Sequence, residues 1–182
     1  MRLFLNDVWA ALRFEFKPLA QYAYPAWQPL SWMALIGISG GIFSDLQAGI
    51  LTRALFSLVL FSAGVVAQTM WIMLWQRHIR RKPMPGSLFP LAVILNTPQL
   101  ISLLLPILLP ASFQLPVLLL VMLYSLVLGV LGLAEVLDEA GWRIVVALLC
   151  FAPFGFLILN IGLSWAVKMG WLVLPNLPAV GA

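Results

Sequence analysis

Apolar residues in this chain form long, nearly unbroken runs, with the polar positions gathered between them. Five runs reach the roughly 20 residues that an α-helix needs to cross hydrocarbon at about 1.5 Å per residue; they cover residues 25–43, 54–76, 87–110, 115–136 and 142–167. A barrel strand would read as alternation over about 10 residues, and these runs neither alternate nor stop so soon. The connections are short, residues 111–114 among them, so consecutive helices are expected to lie antiparallel and side by side. The predicted fold is all-α and membrane-integral. A short interfacial amphipathic helix in residues 1–18 precedes a bundle of five transmembrane helices over residues 19–170, and residues 171–182 form a short tail.

Within the first 18 residues, Leu5, Val8, Trp9, Leu12 and Phe16 recur at three- and four-residue spacing and share a helical face, with Asn6, Arg13 and Lys17 opposite. Such a helix can lie in the headgroup plane, each cation contributing about 1 kcal/mol against anionic lipid. The other reading packs the same face against the cytoplasmic ends of the bundle. Glu15 falls on the apolar face, and Pro18, Pro25 and Pro29 predict a broken or extended approach to the first run. Asn6 and Asp7 sit where a secretory signal needs an apolar stretch, so no cleaved signal is expected.

Composition narrows the class. Of 182 residues 63% are hydrophobic and 9% charged, with a mean hydropathy of +1.06, whereas soluble domains carry about 25% charged residues. That excludes a soluble enzyme, a disordered chain and a disulfide-stapled module. The pI near 9.7 comes from Lys and Arg beside apolar runs, so no nucleic-acid partner is expected. Arg2, Arg13, Lys17, Arg77, Arg80, Arg81, Lys82 and Arg143 fall on one set of alternate flanks, against Arg53 and Lys168 on the other. The positive-inside rule then predicts a bacterial inner-membrane protein with an odd number of crossings, N-terminus cytoplasmic and C-terminus periplasmic. Trp27, Trp32, Trp71, Trp75 and Trp142 near the inner interface, and Trp165 near the outer one, fit an aromatic belt.

Candidate chemistry is sparse. The densest charge, Arg77-His78-Ile79-Arg80-Arg81-Lys82, makes Arg77, Arg80, Arg81 and Lys82 a candidate site for lipid headgroups or an acidic partner; its other reading is a topogenic stop. The third run carries Pro90, Pro98 and Pro106, with Asn96-Thr97-Pro98-Gln99 near its middle, and predicts a kinked or interrupted helix. Asn96, Thr97, Gln99 and, in the fifth run, Asn160 form the intramembrane polar set, serving either interhelical hydrogen bonds or a transporter-type half-helix site. Gly37 with Gly41, Ala63 with Ala67 and Ser125 with Gly129 predict close helix packing within the chain. Glu135, Asp138 and Glu139 end the fourth run, where Arg143 can pair with Glu139. Cys150 reads as a small buried hydrophobe; one Cys and one His make neither a disulfide nor a zinc set, so no metal or cofactor is expected.

The order of these features resembles bacterial members of the Yip1 family. The likeness rests on five runs with the N-terminus inside, on Phe89-Pro90 through Asn96-Thr97-Pro98, on Leu123-Tyr124-Ser125-Leu126 followed by Gly129, and on Trp142-Arg143; it covers about residues 19–168. The Asp-Leu-Tyr-Gly-Pro motif of eukaryotic members has only Tyr24-Pro25 as a counterpart. The small-GTPase and trafficking partners that the family implies for those members are therefore not carried over. The resemblance implies a helical bundle without enzymatic activity. The expected role is a membrane-embedded interaction or lipid-organising component, its partners membrane lipids, anionic ones included, and a membrane protein or a second copy. The alternative is a small transporter or channel component with its site at the broken third helix.

Overall fold

A computed structural model of the chain describes residues 1–172 apart from Phe43, Asp45, Lys82, Pro83 and Pro85, and does not describe the side chains of Ser102, Leu105, Pro106, Ile107 and Ala111. The described residues are helical, without strands: α1 (Arg2–Leu12), α2 (Trp27–Ile42), α3 (Ile50–Leu74), α4 (Phe89–Leu95), α5 (Gln99–Leu108), α6 (Ala111–Val136) and α7 (Gly141–Lys168). A single 3-10 turn covers Leu19–Gln21, and a π turn, Trp75–Ile79, prolongs α3.

Among the described residues three helical stretches are long and apolar enough to cross a membrane: Ile50–Ile79, Ser112–Val136 and Gly141–Lys168. They bury only 11%, 17% and 11% of their most apolar windows, so most of that surface faces outward. The expectation of five such helices is met at these three. The 16 residues of α2 reach about 24 Å, and the third run is divided into α4 and α5.

Contacts fix how the chain threads the bundle. Trp71, late in α3, donates its indole N–H to the Ala147 carbonyl, early in α7 (2.8 Å), while Phe56, early in α3, meets Trp165, late in α7, at 6.3 Å between ring centroids. These two helices are therefore antiparallel. Because α6 joins α7 through the short link after Val136, the start of α6 lies at the opposite end from the end of α3, and the α4–α5 pair must cover that distance. Contacts run α2–α3, α3–α7, α7–α6, α6–α5 and α5–α2, closing a cycle, and α4 touches α1, α2, α3 and α6. Apolar on every side, α4 is suited to an interior position, and Pro90 through Leu95 are all buried.

Small residues set the closest approach. A Cβ at Gly37 would lie 2.9 Å from Leu58 Cα, and one at Gly41 only 2.2 Å from the Arg53 carbonyl oxygen, so this pair packs α2 on α3 as expected. Gly129 differs, since a Cβ there meets no atom within 4 Å. Cys150 also departs from expectation, lying exposed on α7 rather than buried.

The N-terminal helix is rotated so that only part of its periodic apolar stripe packs inward. Phe4, Asp7, Val8 and Ala11 are its buried residues, while Leu5 and Trp9 stay exposed. Phe4 sets this rotation by packing edge-on against Tyr24 at 5.2 Å and Trp32 at 6.2 Å. The Asp7 carboxylate follows, accepting from Lys17 Nζ and the Tyr24 hydroxyl. At its C-terminus Phe14 adopts φ 61°, and the Phe14 and Glu15 amides bond back to the Ala11 and Ala10 carbonyls, the hydrogen-bond signature of a left-handed helix cap. Glu15 consequently leaves the helix and pairs with Arg13 at 3.1 Å instead of intruding on an apolar face. Tyr124 of α6 donates its hydroxyl to the Leu12 carbonyl and meets the Phe14 ring at 5.6 Å, which anchors this cap.

Candidate functional site

The break between α4 and α5 falls where Pro98 required it, because proline has no N–H to continue the ladder. The freed groups are satisfied locally. The amides of Asn96 and Thr97 bond the Val93 and Ile94 carbonyls, and the Asn96 side chain donates from Nδ2 to the Ala92 carbonyl at 2.8 Å. Gln99 donates from Nε2 to Asn96 Oδ1 at 2.9 Å, and Trp32 of α2 donates its indole N–H to Thr97 Oγ1 at 3.0 Å. The predicted trio of Asn96, Thr97 and Gln99 is thus one connected unit, and Trp32 serves it as an interhelical donor. From Gln99 the chain continues as α5 to Leu108 without a second interruption.

Beside this break lies a cavity of about 90 Å³, lined by Gln68, Thr69 and Ile72 of α3, by Leu88, Ala92, Leu95, Asn96 and Gln99 around the break, and by Ser125, Gly129 and Leu133 of α6. Gln68 precedes the end of the π turn by 11 residues, about 16 Å at 1.5 Å per residue. Gly129, with nothing near its Cβ position, leaves the room. Thr69 and Ser125 donate their hydroxyl protons to the Val65 and Val121 carbonyls of their own helices at 2.7 and 2.8 Å, leaving oxygen lone pairs as acceptors. Gln68 has no side-chain hydrogen-bond partner among the described residues. An amide left unpartnered in hydrocarbon costs about 4–8 kcal/mol, whereas a polar cavity of about 10–15 Å³ already admits one water. This one admits several.

The end of the bundle that carries the π turn concentrates the charge. Glu139, its side chain 1% exposed, accepts from Arg80 Nε at 3.0 Å and from an Arg143 terminal nitrogen at 3.2 Å. The predicted Glu139–Arg143 pair is present. Arg80, grouped by sequence with the headgroup-binding cations, is held by this buried carboxylate instead, because the π turn and the end of α6 meet there. Arg77 and Arg81 are exposed, and Lys82 lies outside the described residues. Asp138 takes a left-handed φ of 50° that caps α6 and turns Glu139 inward. On the α1 side of the bundle, burial and the hydrogen bond to Asp7 push the Tyr24 hydroxyl pKa well above its ordinary value, and burial raises Tyr22.

Asn160 is not brought to the break. It is exposed on α7, donates to the Phe156 carbonyl at 2.8 Å, and does not line the cavity. The sequence reading missed Gln68 and Thr69, although a polar pair inside an otherwise apolar run was a visible signal. It also missed Gln76, 1% exposed in the π turn with an Nε2 that has no hydrogen-bond partner among the described residues. No family model matches this chain, and no characterised protein or solved structure matches it either.

Proposed function

We propose that the chain is a non-enzymatic integral membrane protein of Yip1-like type, crossing the bacterial inner membrane five times with its N-terminus in the cytoplasm, and that it acts as a membrane-embedded interaction or lipid-organising component. The observation that carries this is the outward apolar surface of the three long helices, whose most apolar windows are at least four-fifths unburied. Water would penalise that surface by about 25 cal/mol per Å², and lipid does not. Alternation of the helices supports five crossings: α2 runs antiparallel to α3, and the α4–α5 pair spans the distance between the end of α3 and the start of α6. The pair totals about 25 Å of helix, and its interruption is tolerable because its backbone is satisfied within protein. The exposed Leu5 and Trp9 of α1 then face the headgroup region, as an interfacial helix requires.

Of the predicted headgroup cations, Arg77 and Arg81 are exposed, and in this reading they meet anionic headgroups. The test is native mass spectrometry of the purified chain, comparing retained anionic phospholipid in the unaltered protein and in the Arg77→Ala/Arg81→Ala variant, which keeps the Arg80–Glu139 pair. Reduced retention in a correctly inserted variant is expected. Equal retention rejects lipid organisation through this face.

A further inference from the structure

Beyond that lipid-facing reading, we propose that the cavity beside the helix break is a binding site for a small uncharged molecule carrying both hydrogen-bond donors and acceptors, of the size and chemistry of glycerol, urea or acetamide. Four observations lead to this class. The cavity of about 90 Å³ holds several waters, hence a solute of a few heavy atoms. Its walls present both senses of hydrogen bond: the Gln68 amide offers donor and acceptor, the Thr69 and Ser125 oxygens accept, and Asn96 Nδ2 keeps its second proton after bonding Ala92. No Asp, Glu, Lys, Arg or His is among the described lining residues, so an ion entering would shed water without meeting a countercharge. The remaining wall, Ile72, Leu88, Leu95 and Leu133, is apolar and suits the carbon face of such a solute. Gly129 supplies the space, since even a methyl there would touch nothing within 4 Å.

The test uses the full chain in lipid nanodiscs and the neutral thiol reagent 2-hydroxyethyl methanethiosulfonate, which reacts with thiolates. Native Cys150, exposed on α7, is the lipid-facing reference. The thiolate is the species that reacts, and water in the cavity supports its charge and admits the reagent, so Ser125→Cys in a Cys150→Ala background should be labelled severalfold faster than Cys150. Glycerol, urea and acetamide should slow that labelling severalfold in a saturable way, while sodium chloride, glycine and the larger sucrose should not. Adding Gly129→Leu should return labelling to the rate of Cys150. Gln68→Leu, which leaves the space open, should instead raise the solute concentration needed for protection. Labelling no faster than at Cys150 overturns the proposal, as does protection by salt or sucrose equal to that by the neutral solutes, or by none of them. Should Gly129→Leu fail to fold, unchanged protection in Gln68→Leu overturns it alone.

Discussion

Gly41 and Gly129 occupy equivalent places in four-residue small-residue frames, yet the structure gives their replacement by alanine opposite signs. At Gly41 the added Cβ would sit 2.2 Å from the Arg53 carbonyl oxygen and 2.5 Å from Ala54 Cα, both backbone atoms, and ordinary contact begins at 3.4 Å. The α2–α3 pair must therefore open by about 1 Å, a gap that forfeits up to half of each affected dispersion contact. Overpacking of this kind costs about 1–3 kcal/mol, against a gain in helix propensity of about 0.8–1.0 kcal/mol for Gly to Ala. The net expectation for Gly41→Ala is a loss of up to about 2 kcal/mol. Gly129→Ala meets no atom within 4 Å and retains only the propensity gain, a stabilisation of up to about 1 kcal/mol. Reversible unfolding in mixed micelles, followed by circular dichroism, measures both, with Gly64→Ala, equally free of neighbours, as the surface control. If Gly41→Ala proves as stable as Gly129→Ala, close approach is not what the small residues on α2 provide, and the α2–α3 geometry is wrong.

The ion pair at the end of the bundle should be measurable by a double-mutant cycle. Arg80→Ala and Glu139→Ala should couple by about 1–3 kcal/mol, less than a fully buried pair because Arg80 and Arg143 stay 27% and 38% exposed; additive losses would dissolve the pair. Gln76→Met removes a buried, unpartnered amide nitrogen and should stabilise the chain by about 1–2 kcal/mol in the same unfolding assay, whereas a loss would reveal a partner for that amide. Tyr24, its hydroxyl pKa raised by burial and by Asp7, contributes stability that is complete below its unfolded value near 10 and is lost as pH rises beyond it. Tyr24→Phe should therefore flatten part of the alkaline decline, Tyr22 supplying the rest, and an unchanged pH profile would exclude the linkage.

How much of this was legible in the sequence depended on whether the cause was local. Proline chemistry placed the break at Asn96-Thr97-Pro98, because the missing N–H acts within one turn. The long runs placed α3, α6 and α7 to within a few residues, because an apolar helix needs no partner to declare its length. Local periodicity left open which face of α1 turns inward, since the choice between Leu5 with Trp9 and Phe4 with Asp7 is made by Tyr24, Trp32 and Lys17, which are distant in sequence. Asn160 looked like the partner of Asn96 because both are deep amides. Yet a helix has several faces, and α7 turns Asn160 outward, where its own Phe156 carbonyl satisfies it. Gln68 and Thr69 became part of a site only through the packing of α3 against α4.

That packing also separates two kinds of recognition. The charges nearest the bundle's basic end are gathered there, with Glu139 spent on Arg80 and Arg143 while Arg77 and Arg81 face outward. The cavity further along α3 is lined, among the described residues, by amides, hydroxyls and apolar side chains without a charge. Coulomb coupling between exposed arginines and a neutral ligand about 13 Å or more away is negligible, since screening in salt water sets in within about 8–10 Å. Replacing Arg77 and Arg81 should therefore change anionic lipid retention and leave thiol protection in the cavity untouched, and Gln68→Leu should do the reverse. If one replacement moved both readouts, the two regions would have to be joined through the α3 backbone and the π turn that carries Arg77, rather than through charge.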